Sequence, residues 1–110
     1  QGLSPAVFEE EICKIWSVKP ANKKENLPIK SDIPTLLISG EYDSETPVKW
    51  AKSMQKNLIN SHHLIFQGWR HTPTTNWGNS CAMQAANEFF NSPDVKPSPD
   101  CFGQIGGIEF

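Results

Sequence analysis

Two side chains in this sequence stand where chemistry is commonly done: Asp43 and His71. One apolar run, Ile33 to Ser39, leads into Gly40-Glu41-Tyr42-Asp43, and a second, His63 to Phe66, leads into Gly68-Trp69-Arg70-His71. If both runs are strands, an acid and an imidazole sit just past the C-terminal ends of two successive strands. Open α/β sheets place their reacting groups there. A carboxylate so placed can accept a hydrogen bond from an imidazole Nδ1–H, fix the tautomer and steady the imidazolium. The free Nε2 can then take a proton from a serine hydroxyl and return it to a leaving amine.

Plainer roles compete for the same residues. Asp43 also suits a turn or a cap on the helix that follows. Glu41 and Glu45 are rival carboxylates, or merely solvated, and a lone loop histidine such as His71 is often a surface residue. Trp69 and Trp77 bracket the histidine loop and would either wall a substrate pocket or pack the loop onto its own domain. Arg70 suits a substrate carboxylate or plain solvent. Trp16 and Trp50 read as core residues. His62 and His63 open a strand, which sends them to opposite faces. With no His-Glu-x-x-His and no Cys-x-x-Cys, no metal site is expected, and no cofactor is called for.

The elements that must carry these residues follow from periodicity. Ser4-Pro5 reads as a cap and first helical position. Val7, Phe8, Ile12, Ile15 and Trp16 recur at helical spacing, which predicts a helix over 5–16. Residues 17–32, with Lys, Asn and two prolines, read as a linker loop. Residues 33–91 read as a βαβα unit. Ile33 to Ser39 is an unalternating strand, as expected of a parallel strand buried on both faces. Thr46-Pro47 repeats the cap-plus-proline signature and opens a helix carrying Val48, Ala51, Met54 and Leu58. His63 to Phe66 is the next strand, reached by a right-handed crossover. Residues 68–79 form a loop, and Ser80 caps a last helix carrying Cys81, Ala82, Ala85, Ala86, Phe89 and Phe90. Residues 92–110 read as an irregular tail. The fold class is therefore α/β, within one domain over 1–110.

Composition sets outer bounds. The chain is 37% hydrophobic and 20% charged with a net charge of −2. That balance argues against a nucleic-acid or anionic-membrane surface, both of which need clustered Lys and Arg. No apolar run approaches the roughly 20 residues of a membrane span. The three cysteines are an odd number. Cys81 and Cys101 flank a helix and a proline-rich tail, and the spacing favours a disulfide between them over three free thiols. Cys13 is then left over, and a partner upstream of Gln1 would explain it. No Gly-x-Ser-x-Gly elbow occurs in these residues.

The stretch from Cys13 to Cys101 resembles the C-terminal domain of the tripeptidyl-aminopeptidase-like α/β-hydrolases, relatives of proline iminopeptidases. The likeness rests on Cys13-x-x-Trp16, on Ile33-Pro34-Thr35-Leu36-Leu37-Ile38-Ser39-Gly40-Glu41-Tyr42-Asp43 with Thr46-Pro47, and on Trp50-Ala51. Gly68-x-x-His71, Ser80-Cys81 and Cys101 complete it. The Gly-Glu-x-Asp-x-x-Thr-Pro segment is its most specific part. Acid before histidine is the chain order of that fold, whose serine comes earlier.

The resemblance implies that Asp43 and His71 are triad members of a secreted or periplasmic serine peptidase releasing short N-terminal peptides or single residues. It implies a bonded pair at Cys81 and Cys101, and for Cys13 a partner in an N-terminal part that also brings the serine. Family members often read Gly-His where this chain has Trp69-Arg70-His71, and glycine permits turns that arginine does not. Two other readings are an esterase or other acyl hydrolase of the same fold, and a non-catalytic binder using the Trp69 and Trp77 loop. A chain with two parallel strands and uncovered apolar surface is also expected to self-associate.

Overall fold

The computed structural model describes residues 11–17 and 19–104. The predicted cap at Ser4-Pro5 and the helix start over 5–10 lie outside the described residues. Residues 11–15 are helical.

Two parallel strands, β1 (Thr35–Gly40) and β2 (Ser61–Phe66), pair from Thr35↔Ser61 to Gly40↔Phe66. A crossover helix, Val48–Gln55, joins them, and a closing helix, Cys81–Asn91, follows. The predicted α/β unit is thus present, with shifted edges. The first strand starts at Thr35 rather than Ile33. Pro34 has no N–H to give to the ladder, and Ile33 is largely exposed. The second starts at Ser61, two residues before the expected His63, because Thr35 has already entered the register. The linker holds one short 3₁₀ turn, Lys23–Asn26, capped reciprocally by Asn22 and Glu25. The tail holds another, Asp100–Gln104.

Strand alternation puts Leu36, Ile38, Leu64 and Phe66 on one face. There Leu64 and Phe66 form a core with Cys81, Ala82 and Ala85 of the closing helix, and Leu36, Ile38, Trp69 and Phe102 pack against it. The small side chains at Ala82 and Ala85 let the helix approach the sheet closely. The other face, with Leu37, His63 and Ile65, is only half-buried. Burial on both faces, expected from the unalternating run, therefore holds for one.

Two further expectations are corrected. Trp16 and Trp50 are not core residues: they are 76% and 54% exposed. Helical spacing shows which side of a helix is apolar but not what covers it, and the crossover helix has no buried residue. Nor does Ser80 cap the closing helix with its side chain. Its hydroxyl accepts from Gln84 Nε2, while Asn79 Oδ1 takes the Cys81 N–H.

A disulfide joins Cys81 to Cys101, and Cys13 is free and exposed. The bond sets the tail against the core, where Phe102 meets Phe66 edge to face with ring centroids 5.1 Å apart. Closing a loop of this length stabilises by ~3 kcal/mol in the chain-entropy model. The double variant Cys81→Ala/Cys101→Ala should lose about that much in urea denaturation. Reductant should destabilise the parent chain and leave the variant unmoved.

Candidate active site

Asp43 and His71 meet. Their loops leave the adjacent ends of β1 and β2 and are stitched together by the backbone. Glu41 N–H donates to Phe66 O at 3.0 Å, and Tyr42 N–H to Trp69 O at 2.9 Å. The Glu41 carboxylate accepts from Gly68 N–H at 2.9 Å. Glu41 is therefore no rival for the histidine; it ties the two loops together. Gly68 turns at φ 71°, a conformation glycine adopts without penalty.

Past that turn, His71 Nδ1 lies 2.9 Å from Asp43 Oδ2. The Asp43 side chain is 3% exposed and the His71 side chain 36%. The other carboxylate oxygen, Oδ1, accepts from Glu45 N–H at 2.9 Å and Thr46 N–H at 2.8 Å. Asp43 thus makes both kinds of contact open to it in the sequence. One oxygen closes a turn and the other faces the imidazole. The Thr46 hydroxyl donates to Oδ2 at 2.6 Å and lies 3.2 Å from His71 Nδ1. Thr46 is therefore not the cap of the crossover helix; Pro47 stands at that position without a side-chain cap.

These contacts set the charges. Burial alone would raise the Asp43 carboxyl. The Thr46 hydroxyl and N–H, the His71 ring and the Glu45 N–H outweigh it and hold the group well below the usual carboxylate range. His71 is raised above 6.5 by its hydrogen bond to Asp43, against some loss to burial, with further help from the Asp43 and Glu45 charges. Glu45 is exposed, its carboxylate 3.7 Å from His71 Nε2. A ring held this way keeps its proton on Nδ1 and presents Nε2 as a base.

The histidine loop turns without a glycine next to His71. Arg70 is not at positive φ; after the bend at Gly68, Thr72 takes φ 50° instead. Its carbonyl is held there by the Thr75 N–H and hydroxyl, both at 2.9 Å. Trp69 packs inward on Phe66, with centroids 4.9 Å apart. Trp77 is fully exposed. Trp69, Arg70 and His71, with Pro73 and Asn76, line an open hollow of about 440 Å³. The structure thus brings Trp69 and Arg70 beside His71 and leaves Trp77 outside that lining.

The sequence of the TAP-like protein family matches residues 3–101, almost the whole chain. The chain belongs to the TAP-like α/β-hydrolases. The match includes both loops of the site. No curated protein and no solved structure matches significantly.

One polar pair in this TAP-like chain carries no signal in the sequence. His63 Nε2 lies 2.9 Å from the hydroxyl of buried Ser39. The two are diagonal neighbours on one face, a relation visible only once the register is known. Burial, together with the charges of Lys52 and Lys96, lowers the His63 imidazole. Among the described residues no three His, Cys, Asp or Glu side chains gather as a metal shell requires. No helix among them is long and apolar enough to cross a membrane.

Proposed function

We propose that this chain is the C-terminal part of an α/β-hydrolase fold and supplies the acid and general base of a serine exopeptidase. The nucleophilic serine would come from sequence outside these residues, which contain no Gly-x-Ser-x-Gly. The observation that carries the reading is the 2.9 Å contact between Asp43 Oδ2 and His71 Nδ1. In the reaction the serine Oγ attacks a peptide carbonyl. His71 Nε2 takes the hydroxyl proton and passes it to the departing amine, while Nδ1–H stays on Asp43. Water then attacks the acyl-enzyme by the same route in reverse. The resemblance to tripeptidyl aminopeptidases favours an amide substrate bearing a free N-terminus. Trp69 and Arg70 line the hollow beside the base and would contact that substrate, with Trp77 on the outer loop. The disulfide favours an oxidising compartment, so secretion or a periplasm.

The test uses an aminoacyl or tripeptidyl chromogenic anilide and a serine-reactive phosphonate. The 110-residue chain alone should give neither turnover nor label. The longer protein that contains it should give both. Hydrolysis by the isolated chain at full rates, or a longer protein that resists the phosphonate, would sink the proposal. Uncovered apolar residues such as Ile29, Ile33 and Met54 would draw the isolated chain into self-association.

A further inference from the structure

We infer that Thr46 is a positioning residue for the acid and the imidazole, its hydroxyl bridging Asp43 Oδ2 and His71 Nδ1 so that the ring is confined to one tautomer. This deepens the proposed function and rests on it for its catalytic consequence, though not for its structural one.

The supply of protons decides which group donates. An ionised carboxylate has none to give. At 2.6 Å from Asp43 Oδ2, the Thr46 hydroxyl must therefore be the donor. A hydroxyl has one proton, and this one is committed. Toward His71 Nδ1, 3.2 Å away, Thr46 Oγ1 can then offer only a lone pair. A lone pair is tolerated only by a protonated nitrogen. Asp43 Oδ2 makes the same demand from 2.9 Å. Both neighbours thus call for Nδ1–H, and in the neutral ring Nε2 is the bare, basic atom.

The same residue fixes the carboxylate's rotation. Thr46 N–H and Glu45 N–H hold Oδ1, so Oδ2 is the oxygen turned to the ring. Pro47 restricts the backbone of the residue before it, which keeps the Thr46 N–H and hydroxyl on one carboxylate. Thr46 itself is exposed, so the core does not require its hydroxyl. The other charged group facing the ring is Glu45, whose exposed carboxylate stands 3.7 Å from Nε2, beyond hydrogen-bond reach, and so competes only weakly for the ring proton.

The experiment compares Thr46→Val, which keeps the shape and loses the hydroxyl, with Thr46→Ser, which keeps the hydroxyl. Both are made in the complete protein. Ring ¹⁵N shifts of His71 read the tautomer, and the side-chain ¹³C shift of Asp43 reads its titration. With Oδ2 no longer fixed by the hydroxyl, valine should loosen the carboxylate's hold on Nδ1–H, so that a minor fraction of the Nε2–H tautomer appears beside the Nδ1–H form, and the Asp43 carboxyl should titrate at higher pH. It should lower kcat roughly tenfold, the worth of one charge-assisted hydrogen bond, with KM little changed. Serine should restore all three. Thr46→Ala removes the same hydroxyl without bulk and stands in if valine is not tolerated. A wild-type ring pattern in the valine or alanine variant, or failure of serine to rescue, overturns the inference. The ring shifts do not depend on turnover. If they change as expected while Asp43→Asn leaves hydrolysis intact, the proposed function fails and the positioning role stands.

Discussion

Asp43→Asn in the complete hydrolase is expected to lower kcat by roughly 10⁴-fold with the fold retained. Asparagine has nearly the same shape, and its carbonyl oxygen can still close the turn on the Glu45 and Thr46 N–H groups. The amide nitrogen would then replace Oδ2 opposite His71 Nδ1. An amide nitrogen donates, so Nδ1 must accept, and the ring proton moves to Nε2. In the proposed reaction that proton would face the serine, and the base would be lost. A melting curve close to the parent's, together with the loss of turnover, checks the prediction. Retention of more than a tenth of the parent kcat would contradict it.

The same pair predicts a pH profile. His71 must be neutral to act as base, and its folded value is raised above 6.5, first by the Asp43 hydrogen bond. The acid limb of kcat/KM should therefore lie above 6.5 in the parent and move down in the residual activity of Asp43→Asn. Stability runs the other way for this group. The stabilisation from the raised imidazole is complete below 6.5 and fades as pH rises through the folded value. For Asp43, held below its ordinary 3.8, stabilisation is complete above that value and fades as acid reaches the lowered one. Between those limits both contributions are partly or wholly present.

Asp43 and His71 were legible in the sequence because both stand at a fixed offset after an apolar run, and the ends of paired parallel strands are neighbours. The parallel unit was legible for the same reason. Thr46 reads as a cap because Thr-Pro is a cap signature wherever a helix follows, and nothing local says that its hydroxyl turns back three residues to a carboxylate. The Ser39–His63 pair depends on register, which periodicity does not supply. Trp16 and Trp50 show the limit of amphipathic patterns. Their spacing marks an apolar side, and no packing partner is written into the same segment. The arginine before His71 is no obstacle to the loop, because the bends fall at Gly68 and Thr72, two residues to either side of it.

Gly40→Ala should separate the acid from the base without touching either. Gly40 ends β1, and the histidine loop crosses directly over it. A Cβ there would stand 2.6 Å from Trp69 O and 2.8 Å from Arg70 C, and closer still to Arg70 O. All three are backbone atoms, so no side-chain rotation relieves the clash. Either strand or loop must move. The loop is the freer of the two, since Phe66, which pairs with Gly40, is fully buried in the core. Shifting it strains the Tyr42 N–H to Trp69 O bond and the Glu41 to Gly68 tie, which set the distance from Asp43 to His71. Overpacking of this kind costs about 2–3 kcal/mol, and a displacement of about 1 Å at a reacting group costs on the order of 10²-fold in rate. Gly103→Ala is the control, because a Cβ at Gly103 meets nothing within 4 Å. Denaturant midpoints and turnover, measured side by side, should fall for Gly40→Ala and hold for Gly103→Ala. Equal behaviour of the two would mean that the close crossing of loop over strand does not hold the pair together.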